Sequence, residues 1–452
     1  MDSNQRIRPF RANRRYWQYK GKPVLLLGGS VEDNLFQIPD IEGHLDLLQS
    51  VGGNYFRCTM SCRDEGNVWP FEQNADGLYD LDKPSAEFWR RFETFIGLTA
   101  ERDIIVQIEI WATFDFSNAF ETCWPSNPYN PRNNVNYTSE QSNLPEKVDR
   151  SPLLGDNLFF YTVPEVCNNE LVLCYQHAFV DRLLSHTLPR AHVLYCMDNE
   201  THVWPQWGAY WSEYIKAAAI DAGTVAQTTE MWRQRDVRHP EHWATLHHPE
   251  TYSFVDVSQN GGTYGQLNYD RAVWVRGHIG RLRPINNVKI YGCDDGPEWR
   301  KSARDGIERF WRNIFAGHAA SRFHRPPGGL GLSEKAQANI RSLRMLTDEI
   351  NPWDCEPAGG LLFDCRENQA YCLANAGVAY AVFFTDGGQV GLDVSAVGGA
   401  ELILGWLDIS QSNWSDSQIV AAPEGRAELS TPGAGLWAAL VKTCDCGHIP
   451  SH

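Results

Sequence analysis

Hydrophobic positions along the chain fall into two alternating periods. Short apolar runs of strand length occupy 23–27 (PVLLL), 54–60 (NYFRCTM), 104–111 (IIVQIEIW), 192–196, 224–229, 252–258 (YSFVDVS), 288–293 and 319–323. Between them apolar residues recur at helical spacing over 41–48, 86–99, 170–185, 208–219, 242–247, 269–282, 299–315 and 333–350, the last with Ser333 as N-cap. Strand followed by helix, eight times, calls for parallel strands joined by crossover helices, and eight such repeats predict a (β/α)8 TIM barrel. An open doubly wound sheet is the alternative, but the first turn carries no GxGxxG. Residues 117–157 are polar and rich in Pro and Asn, too long for an ordinary connection, and read as a functional loop that could wall off one end of a cleft.

After Asn351-Pro352-Trp353 the rhythm changes to short β-rich runs separated by DGG, VGG and PGAG turns. That is antiparallel grammar, so the expected organisation is a barrel over 1–352 and a small antiparallel β-sandwich over 353–452. Bracing the barrel is the sandwich's expected task, with Trp353 and Trp406 at the interface.

Composition narrows the function. With 42% hydrophobic and 21% charged residues the chain is neither disordered nor fibrous. A balance of 40 basic against 56 acidic residues, net −16, repels phosphate backbones and anionic lipid, so neither nucleic acid nor a membrane surface is an expected partner. No apolar run reaches the roughly 18–20 residues of a membrane span. The first fifteen residues carry five arginines and no apolar stretch behind them, unlike a secretory leader. The twelve cysteines are scattered without CxxC spacing and read as buried thiols of a reducing compartment, or in part as a C-terminal disulfide. A cytoplasmic location is favoured, with secretion or a periplasmic site the alternative if a leader has been removed. His239, His242, His247 and His248 cluster, but without HxH or HExxH spacing, so neither a metal nor any other cofactor is expected. Oligomeric state is not legible. The 17 tryptophans are an excess that sugar-binding clefts also use, ring face against pyranose.

In a barrel the chemistry sits at the C-terminal strand ends. Those ends carry Arg57, Glu109, Trp111, Asp115, Asp198-Asn199-Glu200, Glu230, Trp232, Asp256, Gln259, Asp294-Asp295, Glu298, Arg322 and His324. A ring so rich in carboxylates is what glycoside hydrolysis needs: one carboxylic acid protonates the leaving oxygen, a second carboxylate attacks the anomeric carbon or activates water.

Asn199-Glu200 after the fourth strand resembles the Asn-Glu of the large clan of (β/α)8 glycoside hydrolases, in which the Glu is the acid/base. Gly53-Asn54-Tyr55-Phe56-Arg57 is similar to that clan's second-strand pattern, whose Arg supports the nucleophile. Together with the FWRNIFAG helix (310–317) and the terminal sandwich, the architecture resembles the apiosidase-like glycoside hydrolases, which join such a barrel to a C-terminal β-sandwich of the collagen-binding type. The resemblance implies a carbohydrate substrate of plant or algal origin, with Glu200 as acid/base and exo-action if the long loop closes the cleft. One departure stands out. The clan has a Glu nucleophile at the end of the seventh strand, where this chain reads Gly292-Cys293-Asp294-Asp295-Gly296-Pro297-Glu298. Asp294 aligns best, Asp295 and Glu298 stand close by, and Asp-Asp-Gly also fits a plain turn. Arg57, Trp111, Asn199, Trp204, Glu230, Gln259 and His324 are the expected sugar-side residues. A non-catalytic carbohydrate-binding barrel is the alternative reading, and a metal-dependent hydrolase a third.

Overall fold

The computed structural model describes residues 4–148, 157–295 and 301–444. The strand–helix alternation is present as β1 (Leu26–Gly29), α1 (Ile41–Ser50), β2 (Tyr55–Thr59), α2 (Ala86–Glu101), β3 (Ile105–Trp111), α3 (Glu170–Thr187), β4 (Val193–Asp198) and α4 (Pro205–Asp221). It continues through β5 (Thr228–Thr229), α5 (Pro240–Leu246), β6 (Val255–Asp256), α6 (Gly265–His278), β7 (Ile285–Ile290), α7 (Ala303–Phe315), β8 (Ala320–Phe323) and α8 (Glu334–Glu349). The strands form two parallel four-stranded sheets, β5-β4-β3-β2 and β6-β7-β8-β1. Backbone hydrogen bonds link the sheets at each end, Asn54 N to Leu27 O and Ser253 N to Thr228 O, both 2.9 Å. Side chains also cross between them, Gln107 Nε2 donating to Asp256 (2.8 Å) and Asn286 Nδ2 to the Tyr55 hydroxyl (3.0 Å).

Helix starts follow local chemistry. Ser85 and Ser333 accept from the N–H groups of Phe88 and Ala336, and Ser302 with Asp305 closes a capping box at α7. The run at 23–27, by contrast, divides: Lys22–Val24 joins Arg8–Pro9 and Trp17–Tyr19 in a small antiparallel sheet, and only Leu26–Gly29 enters the parallel one. Pro23, without an N–H, suits an edge and not an inner parallel strand. From this hairpin the Trp17 indole donates to Asn286 at the start of β7 (2.9 Å).

Beyond α8 the chain builds an antiparallel sheet around β9 (Ala370–Asn375), β10 (Ala379–Phe384), β12 (Leu402–Asp408) and β14 (Trp437–Thr443), and a smaller one in which β11 (Gln389–Asp393) and β13 (Arg426–Ser430) pair. The larger sheet is apolar on both faces, because strand residues alternate sides. Cys372, Tyr380, Val382, Phe384 and Trp406 pack with Val390, Leu392 and Leu429 of the smaller sheet. Tyr371, Leu373, Ala381, Phe383 and Leu440 join the core of the parallel half. There Phe383 stacks on Trp311 of α7 (centroids 5.2 Å apart), and Ser342 of α8 donates to Ile409 O. Trp406, expected at the interface, instead lies inside the two-sheet core beside Phe384 and Trp437; Trp353 does pack against the main core. Among the described residues no helix is long and apolar enough to cross a membrane.

Replacing Phe383 by Ala should destabilise the protein by about 3–5 kcal/mol in urea unfolding. Ile419→Ala, at a side chain 70% exposed in the same half, should change stability by no more than about 0.5 kcal/mol.

Candidate active site

Alternation along β2 and β3 turns Tyr55 and Arg57, Gln107 and Glu109, to the same side. Arg57, fully buried, is gripped from three directions: bidentately by Glu109 (2.6 and 2.7 Å), by Asp33 beyond β1, and by the side-chain oxygen of Asn199 beyond β4 (2.9 Å). Asp33 also meets Arg63 (3.1 Å), Arg325 (3.4 Å) and the His324 ring (3.6 Å). Burial alone would raise the Asp33 carboxyl; Arg57, with Arg325 and Arg63, holds it well below the usual range. His324 is pushed down by burial and by nearby cations, and is neutral.

The turn that carries Glu200 is built on this network. Asn199 accepts from both Arg57 and the Lys289 ammonium (2.5 Å), and its carbonyl accepts from the Thr113 hydroxyl. Glu200 then adopts φ +59°, a left-handed conformation uncommon for a residue with a side chain. Its carboxylate pairs with Lys289 of β7 and accepts from the Tyr291 hydroxyl (3.2 Å). Burial raises the Glu200 carboxyl, but the Lys289 charge and hydrogen bond outweigh it and hold the pKa at about 2. Glu200 is therefore an anion at neutral pH.

Glu200 opens onto a cavity of about 540 Å³, walled also by Gln259, Tyr291, Arg233, Arg235 and Asp236. Of the residues expected from sequence, Glu200 and Gln259 line this cavity, and Arg57, Asn199 and His324 stand in the charged network behind it. The others lie elsewhere. Asp294 is half-exposed, bonded to Lys335 of α8 (2.7 Å) and accepting from Ala303 N (3.0 Å), and its carboxyl is lowered by Lys335 first. The cause is the end of the seventh strand, which falls at Ile290 and not near Cys293. Gly292 turns the chain at φ +126°, where a Cβ would come within 2.5 Å of Ser302 O. Asp295 is exposed, and Glu298 lies outside the described residues.

Trp111 is core, packed on Phe159, Phe179, Trp207 and Trp211. Trp204 precedes Pro205 at the start of α4, 56% exposed and apart from the cavity wall. Glu230 is buried and accepts from the N–H groups of Asp198 and Met231 (3.0 and 2.9 Å), tying β4 to β5. Burial raises it to about 8 and lifts its neighbour Asp198 well above the usual range. The described part of the 117–157 loop is laced down by its own asparagines, Asn130 Nδ2 donating to Trp124 O and Asn134 Nδ2 to Pro128 O, and supplies none of the cavity wall.

Sequence reasoning missed Asp33, Lys289, Tyr291 and the arginines after β5. Lys289 could have been found by ending the seventh strand at the glycine, since its side chain then faces inward with Glu200. Among the described residues, no group of three or more His, Cys, Asp or Glu side chains is placed to hold a metal ion.

No family model matches the chain, and no curated protein sequence does. Among solved structures, the chain is similar to a glycoside hydrolase family 5 protein from Bacteroides vulgatus at 13% identity and TM-score 0.66, over 98% of this chain and 96% of that one. It is similar to a second glycoside hydrolase at 12% identity and TM-score 0.63, over 98% of each chain. At such identity the likeness is one of architecture: over almost its whole length the chain has the fold of these hydrolases.

Proposed function

We propose that the protein is a glycoside hydrolase whose two parallel sheets form the halves of a (β/α)8 barrel, and whose catalysis centres on Glu200. The observation that carries this is one carboxylate at the end of β4, preceded by Asn199, anchored from behind by Arg57 and open to a cavity large enough for a sugar ring or two. The fold shared with glycoside hydrolases supports the reading.

The roles differ from those the sequence assigns. With Lys289 beside it Glu200 is ionised, the state of a nucleophile or water-activating base, so the proton for the leaving oxygen comes from another carboxyl. Asp236 lines the cavity but is clamped by Arg238 (2.8 Å) and Arg271 (3.0 Å), which hold it ionised. Asp294 is committed to Lys335. Asp295, the next residue along, is the proposed donor. The finer apiosidase-like reading, with a plant or algal substrate and exo-action, belongs to this proposal, as does the division at 352/353 with the terminal sandwich as a brace. Exo-action draws no support from the described part of the 117–157 loop.

One observation favours a second reading, a carbohydrate-binding protein without turnover. Lys289 and Tyr291 are the β7-end side chains that reach Glu200, where hydrolysis would place a carboxylate. Assaying reducing-sugar release beside binding separates the two, because saturable binding without release under every condition selects the second.

Glu200→Gln should lower turnover by at least roughly 10²-fold with the fold intact by circular dichroism; near wild-type turnover refutes its role. Lys289→Met removes the charge that depresses the Glu200 pKa. A reaction that needs the Glu200 carboxylate fails as pH drops through that pKa, so the acidic limb of kcat/KM should move to higher pH in this variant. An unmoved limb would show that Lys289 does not tune the reacting group.

A further inference from the structure

We propose that the terminal antiparallel region shapes the cavity from a distance, with Asn368 and Arg309 as positioning residues that hold the Ser258–Gly262 wall beside Glu200. The inference rests on the reading of this cavity as a carbohydrate site and adds what keeps its wall in place.

The wall segment follows β6 as one short 3-10 turn and contributes Gln259, Gly261 and Gly262 to the cavity. Its first half is fixed locally. Ser258 N donates to Asp256 (2.8 Å), the Ser258 hydroxyl accepts from Val288 N (2.8 Å), and Asn260 Nδ2 donates to Asn268 O of α6 (3.1 Å). Its second half is Gly261-Gly262, and glycine backbone has the widest conformational choice. Gly261 lies against β7, where a Cβ would come within 2.7 Å of the carbonyl oxygen of Lys289, the residue paired with Glu200. The Gly261 carbonyl accepts from the Arg309 guanidinium of α7. Arg309 is buried, its Nε donates to Asp305 O (3.2 Å), and its guanidinium covers the Tyr264 ring at 4.9 Å.

The adjoining face of α7 belongs to the terminal region. Arg304, Glu308, Trp311 and Arg312 share it at helical spacing. Arg304 donates to Thr385 O (2.6 Å) and pairs with Asp386 (3.1 Å), both just past β10. Arg312 pairs with Glu308 and donates to Asn368 Oδ1 (2.9 Å). Asn368, at φ +59° in the turn before β9, gathers these contacts. Its side-chain oxygen also accepts from the Tyr371 hydroxyl (2.7 Å), and its carbonyl accepts from the Thr385 hydroxyl (2.6 Å). Its N–H donates to Gln266 (3.3 Å), in the first turn of α6 just beyond the wall segment. Hydrogen bonds are directional, so they fix the rotation of α7 about its axis as well as its packing. That rotation decides where Arg309 points, and Arg309 in turn holds the glycine pair.

The test compares the unmodified full chain with Arg309→Met, Arg309→Lys, Asn368→Gly and the Arg309→Met/Asn368→Gly double variant, with Ile419→Ala as control. Glycine accepts the positive φ at 368, so that variant removes the side chain alone. Amide hydrogen exchange is read over residues 257–266, and hydrolysis is read on a panel of 4-nitrophenyl glycosides. Arg309→Met and Asn368→Gly should speed exchange in that segment about tenfold, with β3 and β4 unchanged, and Arg309→Lys should do so less. On any glycoside cleaved, both should raise KM about five- to tenfold and leave kcat within about twofold, because the wall binds ground and transition state alike. The double variant should be no worse than the poorer single one, since one path carries both effects. Exchange over 257–266 that is unchanged in either single variant, or additive effects in the double one, overturns the inference. If the unmodified chain cleaves nothing in the panel, that counts against the site reading, and exchange alone decides the positioning. Should Arg309→Met not fold, Arg309→Lys and Asn368→Gly carry the comparison.

Discussion

A guanidinium buried without water must have its charge answered in every direction, and the candidate site is organised around that constraint at Arg57. Glu109 on the neighbouring strand takes its fork, Asp33 comes from the loop after β1, and Asn199 from the turn after β4. A buried pair of this kind contributes little net stability compared with an apolar replacement, but removing one member strands the rest at about 3–5 kcal/mol. Its role is geometric. By fixing Asn199 it fixes the next residue, Glu200, in a left-handed backbone conformation that would otherwise relax.

Lys289 extends the same logic across to the other sheet. Its ammonium is shared between Asn199 and Glu200 and ties β7 to the β4 turn. Burial lowers the lysine while the Glu200 charge sustains it, and the lysine in turn keeps Glu200 anionic. Charge at the cavity is thus set in large part by the side chain β7 presents, since Lys289 is the main cause that keeps the Glu200 carboxyl ionised at neutral pH.

The periods of the hydrophobic pattern made the strand and helix order legible, since period two and period 3.6 report burial directly. The places of Asn199-Glu200 just past β4 and of Arg57 within β2 were legible as well, because the apolar pattern locates both strands. What failed was register at a short or broken strand. Reading β7 as far as Cys293 carried Asp294 to the strand tip, whereas Gly292 ends it early and sends that aspartate to the α7 start. Counting tryptophans misled for a different reason: a ring's burial depends on packing partners, and Trp111 finds five of them in the core. Arg233 and Arg235 sit in irregular backbone, where no periodicity says which way a side chain faces. In the terminal region β10 is buried along its whole length because both faces are covered, one by a second sheet and the other by the core of the parallel part.

The interior between the two parallel sheets is, finally, not a uniform aliphatic filling. Tyr55, Gln107, Asp256 and Asn286 meet there through directional hydrogen bonds, with the Trp17 indole closing the chain from the amino-terminal hairpin. Aliphatic layers tolerate exchange so long as volume is kept, whereas an amide that loses its acceptor has nowhere else to turn. This cluster should therefore drift in evolution only by concerted replacement, so that related sequences would show these five positions changing as a set.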